Sequence, residues 1–288
     1  MANQNAIDPV HASNNLSTMK KFYYFFAISA VALQLISCKK DTVDTTATVT
    51  WSKTVSMSTK FEVPAIANRS ETATATLELL SDNTLRYNII VSGLAAGDAI
   101  TAAHIHAANA GSTGAVKIGF DGTFTSTSVT GVTPVLRSGQ IDTLKNMETY
   151  VNVHSTQVPS GLIRGQVDSK VVFAADVAMS GANEVPAVTT TATGLATIRI
   201  TEDKKAYLKV NVTGLEAGDV LSAAHIHSGT AGVNGGVLLG FYAAAADFNT
   251  LKVLTVTDAV YNSLLNDAIY VNAHSVAKAS GVVRGQVR

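Results

Sequence analysis

The chain of 288 residues has little charge, few aromatic side chains and one cysteine. Charged residues make up 15% of it, against about 25% in an average soluble protein, and the formal net charge at pH 7 is zero. No basic block or stripe is present, so we expect no nucleic-acid partner. A single cysteine excludes both an internal disulfide framework and a cysteine-based metal site.

The lone cysteine follows a short apolar run near the beginning of the chain. Met19-Lys20-Lys21 precedes the apolar stretch from Phe22 to Ile36, which has the length of a signal-peptide core and is too short for a spanning helix. The run ends in Leu35-Ile36-Ser37-Cys38, which resembles the lipobox of bacterial lipoproteins. That resemblance implies cleavage before Cys38 and lipidation of Cys38, including an acyl chain such as palmitate. The alternative is an uncleaved N-terminal membrane anchor.

This interpretation divides the beginning of the chain into three parts. Residues 1–18 are predicted to be an upstream extension, residues 19–37 a cleaved signal peptide, and residues 38–50 a flexible, threonine-rich tether. We therefore expect a protein that contacts the membrane through its N-terminal lipid in the bacterial cell envelope. By the same resemblance, Lys39 after the cysteine favours the outer membrane, at its periplasmic face or the cell surface.

The rest of the chain contains one pattern of histidines twice. His104-Ile105-His106, His154 and Arg164 recur in the same order, at a nearly constant shift, as His225-Ile226-His227, His274 and Arg284. Six of the seven histidines belong to this pattern. The repetition predicts two tandem domains of one kind, over residues 51–168 and 170–288, with almost no linker between them. So short a connection is expected to restrict the relative motion of the two domains.

Within each repeat the side-chain pattern indicates antiparallel β-structure. Leu85, Tyr87, Ile89 and Val91 alternate with polar residues, and clusters of glycine and aspartate interrupt the strands. One short helix per repeat is predicted, most clearly after Thr257, which is placed to cap it. The fold class is therefore all-β, with two tandem Greek-key-type antiparallel β-sandwich domains, each with a short helix, after the cleaved signal peptide.

The histidine spacing predicts a cluster on one sheet face. Side chains two apart on a strand share a face, so His104 and His106 project together, as do His225 and His227. If the neighbouring strand buries its valines, His154 and His274 join them. Three neutral imidazoles suit Cu²⁺ or Zn²⁺. The alternative is a hydrogen-bonded polar layer without an ion, which is favoured by the lack of an acidic residue to orient the rings. No cofactor is certain.

Two further repeated features have alternative interpretations. Arg164 and Arg284 either present a guanidinium to an anion at the histidine cluster or bridge backbone carbonyl groups as structural residues. The segments Glu62-Val63-Pro64-Ala65 and Glu184-Val185-Pro186-Ala187 place a glutamate before a proline in both repeats, and each glutamate is a candidate partner for the arginine of its own repeat.

Five sequence elements resemble the CHRD domain family. They are Asn183-Glu184-Val185-Pro186, the Gly-Leu-x-x-Gly-Asp turns, Ala-His-Ile-His, Tyr-Val-Asn-x-His and the Arg-Gly-Gln-Val endings. The first repeat departs from the pattern at Lys60-Phe61-Glu62-Val63-Pro64 and in the loop after His106. The resemblance implies two β-sandwich modules and no established enzymatic activity.

A fainter similarity to copper/zinc superoxide dismutase implies copper ligands at His104, His106 and His154, or at their second-repeat equivalents, and an anion-guiding arginine. The bridging histidine, zinc loop and disulfide of that enzyme are missing. The sequence thus favours a non-catalytic binding or structural module with a possible protein partner. The alternative is a copper- or zinc-binding envelope protein, with redox chemistry like that of the dismutase.

Overall fold

A computed structural model describes residues 46–288, and the predicted signal peptide and Cys38 lie outside that range. The first repeat contains nine strands, a 3-10 turn at Thr59–Phe61 and one α-helix. In chain order they are β1 (Val49–Ser58), β2 (Thr72–Leu80), β3 (Leu85–Ser92), β4 (Ile100–Ala107), β5 (Val116–Gly119), β6 (Thr123–Phe124), β7 (Ser128–Val132), α1 (Ser138–Asn146), β8 (Thr149–Ser155) and β9 (Ile163–Gln166).

The second repeat follows the same plan with eight strands, 3-10 turns at Gly181–Asn183 and Ala245–Asp247, and one α-helix. Its elements are β10 (Val171–Ser180), β11 (Thr193–Thr201), β12 (Lys205–Thr213), β13 (Leu221–Ser228), β14 (Val237–Tyr242), β15 (Lys252–Thr255), α2 (Asp258–Asn266), β16 (Ile269–Ser275) and β17 (Val283–Gln286). No helix within residues 46–288 is long and apolar enough to cross a bilayer.

Each repeat is one antiparallel sheet that folds into two packed halves. The strand orders are β5-β4-β8-β9-β1-β2-β3-β7-β6 and β14-β13-β16-β17-β10-β11-β12-β15. The halves meet at a corner where β9 and β1 share the single pair Ser58 and Arg164, and β17 and β10 share Ser180 and Arg284. Both halves contribute buried side chains to one core, for example Leu77 from β2 and Ile105 from β4. The predicted all-β sandwich is confirmed.

Local patterns form the elements that the sequence predicts. Burial alternates strictly along β3, with every second residue inside, as expected for a strand with one face on the core. The helix α2 begins after Thr257, whose side chain accepts a hydrogen bond from the Val260 amide at 3.4 Å. Strand pairing starts at Val49, opposite Leu80, slightly before the predicted end of the tether at residue 50.

The two repeats contact each other through a small apolar cluster and a buried arginine. Ala110 of the first repeat packs with Val171 and Tyr207 of the second. Arg199 is fully buried, forms an ion pair with Asp176 at 2.6 Å and donates a hydrogen bond to the backbone carbonyl of Glu62. These contacts hold the segment after the first 3-10 turn against the second repeat.

Candidate metal site

Strand alternation places the three histidines of each repeat on one outer face. In β4, Ala103 and Ile105 are buried in the core, so His104 and His106 point to the opposite face. Strand β8 pairs with β4, and its core residues Val151 and Val153 are fully buried. His154 therefore projects beside the other two. Strands β13 and β16 repeat the arrangement with His225, His227 and His274.

The three rings come close enough for one ion. In each repeat, one nitrogen from every histidine lies within 4.8 Å of one nitrogen from each of the others. Two nitrogens bound to one tetrahedral ion lie about 3.4 Å apart, given metal–nitrogen bonds of about 2.0–2.1 Å. Binding of one ion therefore requires the rings to move closer together. In the first repeat the Nδ1 atom of His104 is already 3.2 Å from the Nε2 atom of His154.

Backbone carbonyl groups fix the orientation of two rings in each repeat. The Nδ1 atom of His106 lies 2.8 Å from the carbonyl oxygen of Gly114, and that of His154 lies 2.9 Å from the carbonyl of Pro159. A carbonyl only accepts, so both Nδ1 atoms carry the proton and both Nε2 atoms carry a lone pair. In the second repeat, His227 and His274 bond in the same way to Gly235 and Ala279.

The Nε2 atoms of His106 and His227 are buried and have no hydrogen-bond partner in the described part of the chain. A buried acceptor without a partner is costly, at about 1–3 kcal/mol. Burial and the neighbouring imidazoles lower the pKa of His104 and of His225, and burial lowers the pKa of His106 and of His274. These rings are therefore neutral at neutral pH, which is the form that coordinates metal.

A tyrosine and an arginine pack in a stack next to His106 in the first repeat and next to its counterpart His227 in the second. The ring of His106 stacks on Tyr150 at 4.8 Å between centroids, and the Arg164 guanidinium lies 3.6 Å from the centre of the same tyrosine ring. The Gly114 amide donates to the Tyr150 hydroxyl at 3.3 Å. In the second repeat, His227 stacks on Tyr270 at 4.9 Å, and Arg284 lies 3.3 Å from the ring centre.

The arginines bond to the glycine-rich loops. Arg164 is 1% exposed and donates to the carbonyls of Ser112 at 2.8 Å and Asn109 at 2.5 Å. Arg284 likewise donates to the carbonyls of Thr230 and Val233. With its donors directed at the loop, the guanidinium is not turned toward the histidine cluster. In this geometry the two arginines bridge backbone carbonyl groups, which is one of the two alternatives that the sequence offers.

The glutamates before the prolines are buried next to the cluster. Glu62 accepts a hydrogen bond at 2.5 Å from Asn152, the cross-strand neighbour of His104. The hydrogen bond to Glu62 therefore comes from the side-chain amide of Asn152, and not from Arg164, the candidate partner named from the sequence. Burial raises the pKa of Glu62 to about 7 against the opposing charge of Arg164, and burial also raises the pKa of Glu184 to about 7.

A family comparison agrees with this repeated architecture. The CHRD domain model matches residues 53–167 and again residues 175–287. The chain belongs to the CHRD domain family. The two matches correspond to the two sheets, so each CHRD domain of the chain carries one histidine cluster. No curated protein and no solved structure matches the chain.

Sequence reasoning missed the groups that orient the imidazoles. The sequence places no acidic residue beside the histidines. In the first CHRD domain of the structure, the carbonyl groups of Gly114 and Pro159 orient the rings instead. The available signal was the glycine-rich loop ten or fewer residues after each His-Ile-His strand, since such a loop brings backbone atoms close to a ring. The tyrosine of each Tyr-Val-Asn-x-His motif, which stacks on a histidine of the cluster, has no sequence signal that reveals this role.

Proposed function

We propose that each CHRD domain of this chain is a non-catalytic metal-binding module that holds one Cu²⁺ or Zn²⁺ ion on its three histidines. The ligands are His104, His106 and His154 in the first domain and His225, His227 and His274 in the second. One observation carries the proposal: the Nε2 atoms of His106 and His227 are buried, hold a lone pair and have no partner in residues 46–288.

The alternative of a polar layer without an ion accounts for only two rings of each cluster. His104 and His154 satisfy each other through their 3.2 Å contact, and His225 and His274 do so at 3.0 Å. The Nε2 atom of the third ring, His106 or His227, receives no hydrogen bond from this pair. A metal ion supplies a partner for all three rings. The carbonyl groups that accept from Nδ1 of two rings in each cluster would hold those rings in position to bind it.

Copper is expected to bind more tightly than zinc at these sites. Imidazole nitrogens suit both ions, and Cu²⁺ stands above Zn²⁺ in the affinity order of divalent metals. The metal that occupies the protein in the cell then depends on the supply of each ion. No aspartate, glutamate or cysteine joins the three-histidine groups of the described chain, so the ligand set is neutral in charge.

A titration of the full chain, purified in detergent, tests the proposal. We expect about two copper ions per chain by elemental analysis, and one after His104→Gln/His154→Gln. The matched variant His225→Gln/His274→Gln is expected to lose the other ion, and the combination of all four changes to lose both. Two ions retained in the fourfold variant, or none in the natural sequence, would overturn the proposal.

We further propose that the module is anchored in the bacterial envelope by a lipid on Cys38. The support is the sequence alone: a cationic start, a short apolar run and Leu35-Ile36-Ser37-Cys38. Several acyl chains on one residue anchor more firmly than one, at about 0.8 kcal/mol per buried methylene. Radiolabelled palmitate is expected in the natural protein and not in Cys38→Ala. Label that survives the substitution would exclude this anchor.

A further inference from the structure

The two histidine clusters differ in what surrounds them. A cavity of about 410 Å³ borders the first cluster. Its lining includes His106, Asn152, Glu62, Val63, Thr113 and Gly161. His106 is only half-buried, whereas its counterpart His227 is 8% exposed. The His227 ring is thus better shielded from solvent than the His106 ring.

One residue accounts for part of this difference. Asn234, just before the Gly235 that holds His227, donates from its side chain to the carbonyl of Val185 at 2.6 Å. It also accepts from Arg284 at 3.2 Å. The side chain therefore ties the glycine-rich loop of the second domain to the Glu184–Ala187 segment. We call this hydrogen bond to Val185 the loop latch.

The first domain has no such bond in its described residues. Thr113 stands before Gly114 where the second domain has Asn234, and the side chain of Thr113 is too short to make the same contact. The corresponding segment is instead held by the other domain: Arg199 bonds to the Glu62 carbonyl, and the Ala65 amide donates to Asp176 at 2.7 Å. The contact with the second domain thus holds one wall of the cavity in place.

A cleft between the domains adjoins the cavity. That cleft, about 420 Å³, shares Val63, Pro64 and Thr113 with the cavity and has Lys209 of the second domain on its wall. The Arg164 guanidinium packs on the Tyr150 ring, and its hydrogen bonds within residues 46–288 go to uncharged oxygens. Three neutral imidazoles do not cancel the charge of a divalent ion. A small anion is therefore the favoured additional ligand.

Building on the proposed function, we propose that the two metal sites have different roles. The first site, at His104, His106 and His154, takes up a small anion from the cavity as a further ligand of its metal. The second site, at His225, His227 and His274, is closed to such ligands by the loop latch. Three histidines leave a coordination position free on a four-coordinate ion, and the cavity beside His106 is the route that we assign to the incoming anion.

Azide binding to copper-loaded single-site variants of the full chain tests this inference. His225→Gln/His274→Gln leaves the first site, and His104→Gln/His154→Gln leaves the second. These changes spare His106, His227 and their stacked tyrosines. The readout is the near-ultraviolet absorbance band of a copper–azide complex. We expect azide to bind the first site at least tenfold more tightly than the second.

Reciprocal changes in the loop provide the decisive comparison. Thr113→Asn in the first-site background should weaken azide binding about tenfold, whereas Asn234→Thr in the second-site background should strengthen it by a similar factor. Thr113→Ser is the matched control and should leave azide binding unchanged. Copper content should be equal in all of these variants.

The outcomes separate this inference from the proposed function. Equal azide affinity at two copper-loaded sites, or loop changes without effect, would overturn the inference and leave metal binding intact. Absence of copper from both single-site variants would overturn the proposed function and this inference with it.

Discussion

The Nδ1 atom of His104 lies 3.2 Å from the Nε2 atom of His154, and the proton between them belongs to His104. This follows because the Nδ1 atom of His154 donates to the Pro159 carbonyl, which leaves only a lone pair on its Nε2 atom. A metal bound to both rings takes the place of that proton. His104 must then carry its proton on Nε2, on the far side of the ring.

The first prediction concerns this change of tautomer. On addition of Zn²⁺, His104 and His225 should change from the Nδ1–H to the Nε2–H form, whereas His106, His154 and their counterparts should keep Nδ1–H. Nitrogen-15 NMR of the histidine rings distinguishes the two forms directly. Rings that keep their metal-free tautomers at saturating zinc would contradict the proposed ligand atoms.

The second prediction is the pH dependence of metal binding. Burial lowers the pKa of His104 and of His106, so each ring loses its proton at a lower pH than a free histidine does. Copper affinity should then be nearly constant above about pH 6.5, the ordinary histidine pKa. Below the lowered pKa values of these rings, affinity should fall by more than about tenfold per pH unit, since more than one proton competes with the ion. A competition titration between pH 5 and 8 measures this, and a decline that begins near pH 8 would contradict it.

The third prediction is a stability effect of Glu62. Its pKa is raised from 4.5 to about 7 in the folded protein, so the folded chain binds more protons than the unfolded chain between these values. The free energy of unfolding should therefore fall as pH rises through this window, by up to about 3 kcal/mol for this carboxyl. Burial of neutral histidines acts in the opposite direction, so the informative quantity is a difference between variants.

Glu62→Gln isolates that contribution. Relative to the natural sequence, the variant should become more stable as pH rises from about 5 to 7.5, in chemical denaturation followed by circular dichroism. Glu78→Gln, which changes a partly exposed carboxylate paired with Arg86, is the control that tests whether the effect is specific to Glu62. Parallel profiles for Glu62→Gln and the natural protein would show that the carboxyl is not perturbed.

The fourth prediction concerns Arg164 and its loop. Arg164→Gln removes donors from the partly buried carbonyls of Ser112 and Asn109 and should lower the free energy of unfolding by about 2–4 kcal/mol. Because the loop also holds His106 through Gly114, copper affinity of the first site should fall by about tenfold or more. Arg86→Gln is the exposed control. A loss of stability without a loss of copper affinity would show that the loop contacts of Arg164 do not affect the metal site.

The fifth prediction concerns the contact between the domains. Arg199→Met leaves Asp176 without its cation and the Glu62 carbonyl without its donor. Breaking a buried ion pair costs about 3–5 kcal/mol, and this loss should fall on the second domain, which contains both Arg199 and Asp176. Loss of the hydrogen bond to Glu62 of the first domain should let the two domains unfold in separate calorimetric transitions. Asp176→Asn keeps a polar group beside the arginine and should have a smaller effect. A single unchanged transition in Arg199→Met would mean that other contacts couple the domains.

The sequence predicts the parts of the molecule that obey a simple period. Alternation in β3 and the Thr257 helix cap follow from local rules. The convergence of His104, His106 and His154 follows from the two-residue period of neighbouring strands, once Val151 and Val153 are assigned to the core. Because the pattern repeats along the chain, the same reasoning predicts the second histidine cluster.

What the sequence does not reveal depends on backbone atoms and long-range contacts. The carbonyls of Gly114 and Pro159 orient two rings, and a carbonyl has no side-chain signature. Tyr207 breaks the alternation of β12, because its ring packs between the domains and its hydroxyl donates to Glu148 at 2.9 Å. The hydrogen bond from Arg199 to the Glu62 carbonyl likewise depends on how the repeats meet, which no local pattern encodes.

Anomalous X-ray diffraction at the copper edge tests the central claim most directly. Crystals of the copper-loaded protein should show two peaks per chain. One should lie within bonding distance of His104 Nδ1, His106 Nε2 and His154 Nε2, and the other should be bound equivalently by His225, His227 and His274. Peaks elsewhere, or none at these histidines, would contradict the account.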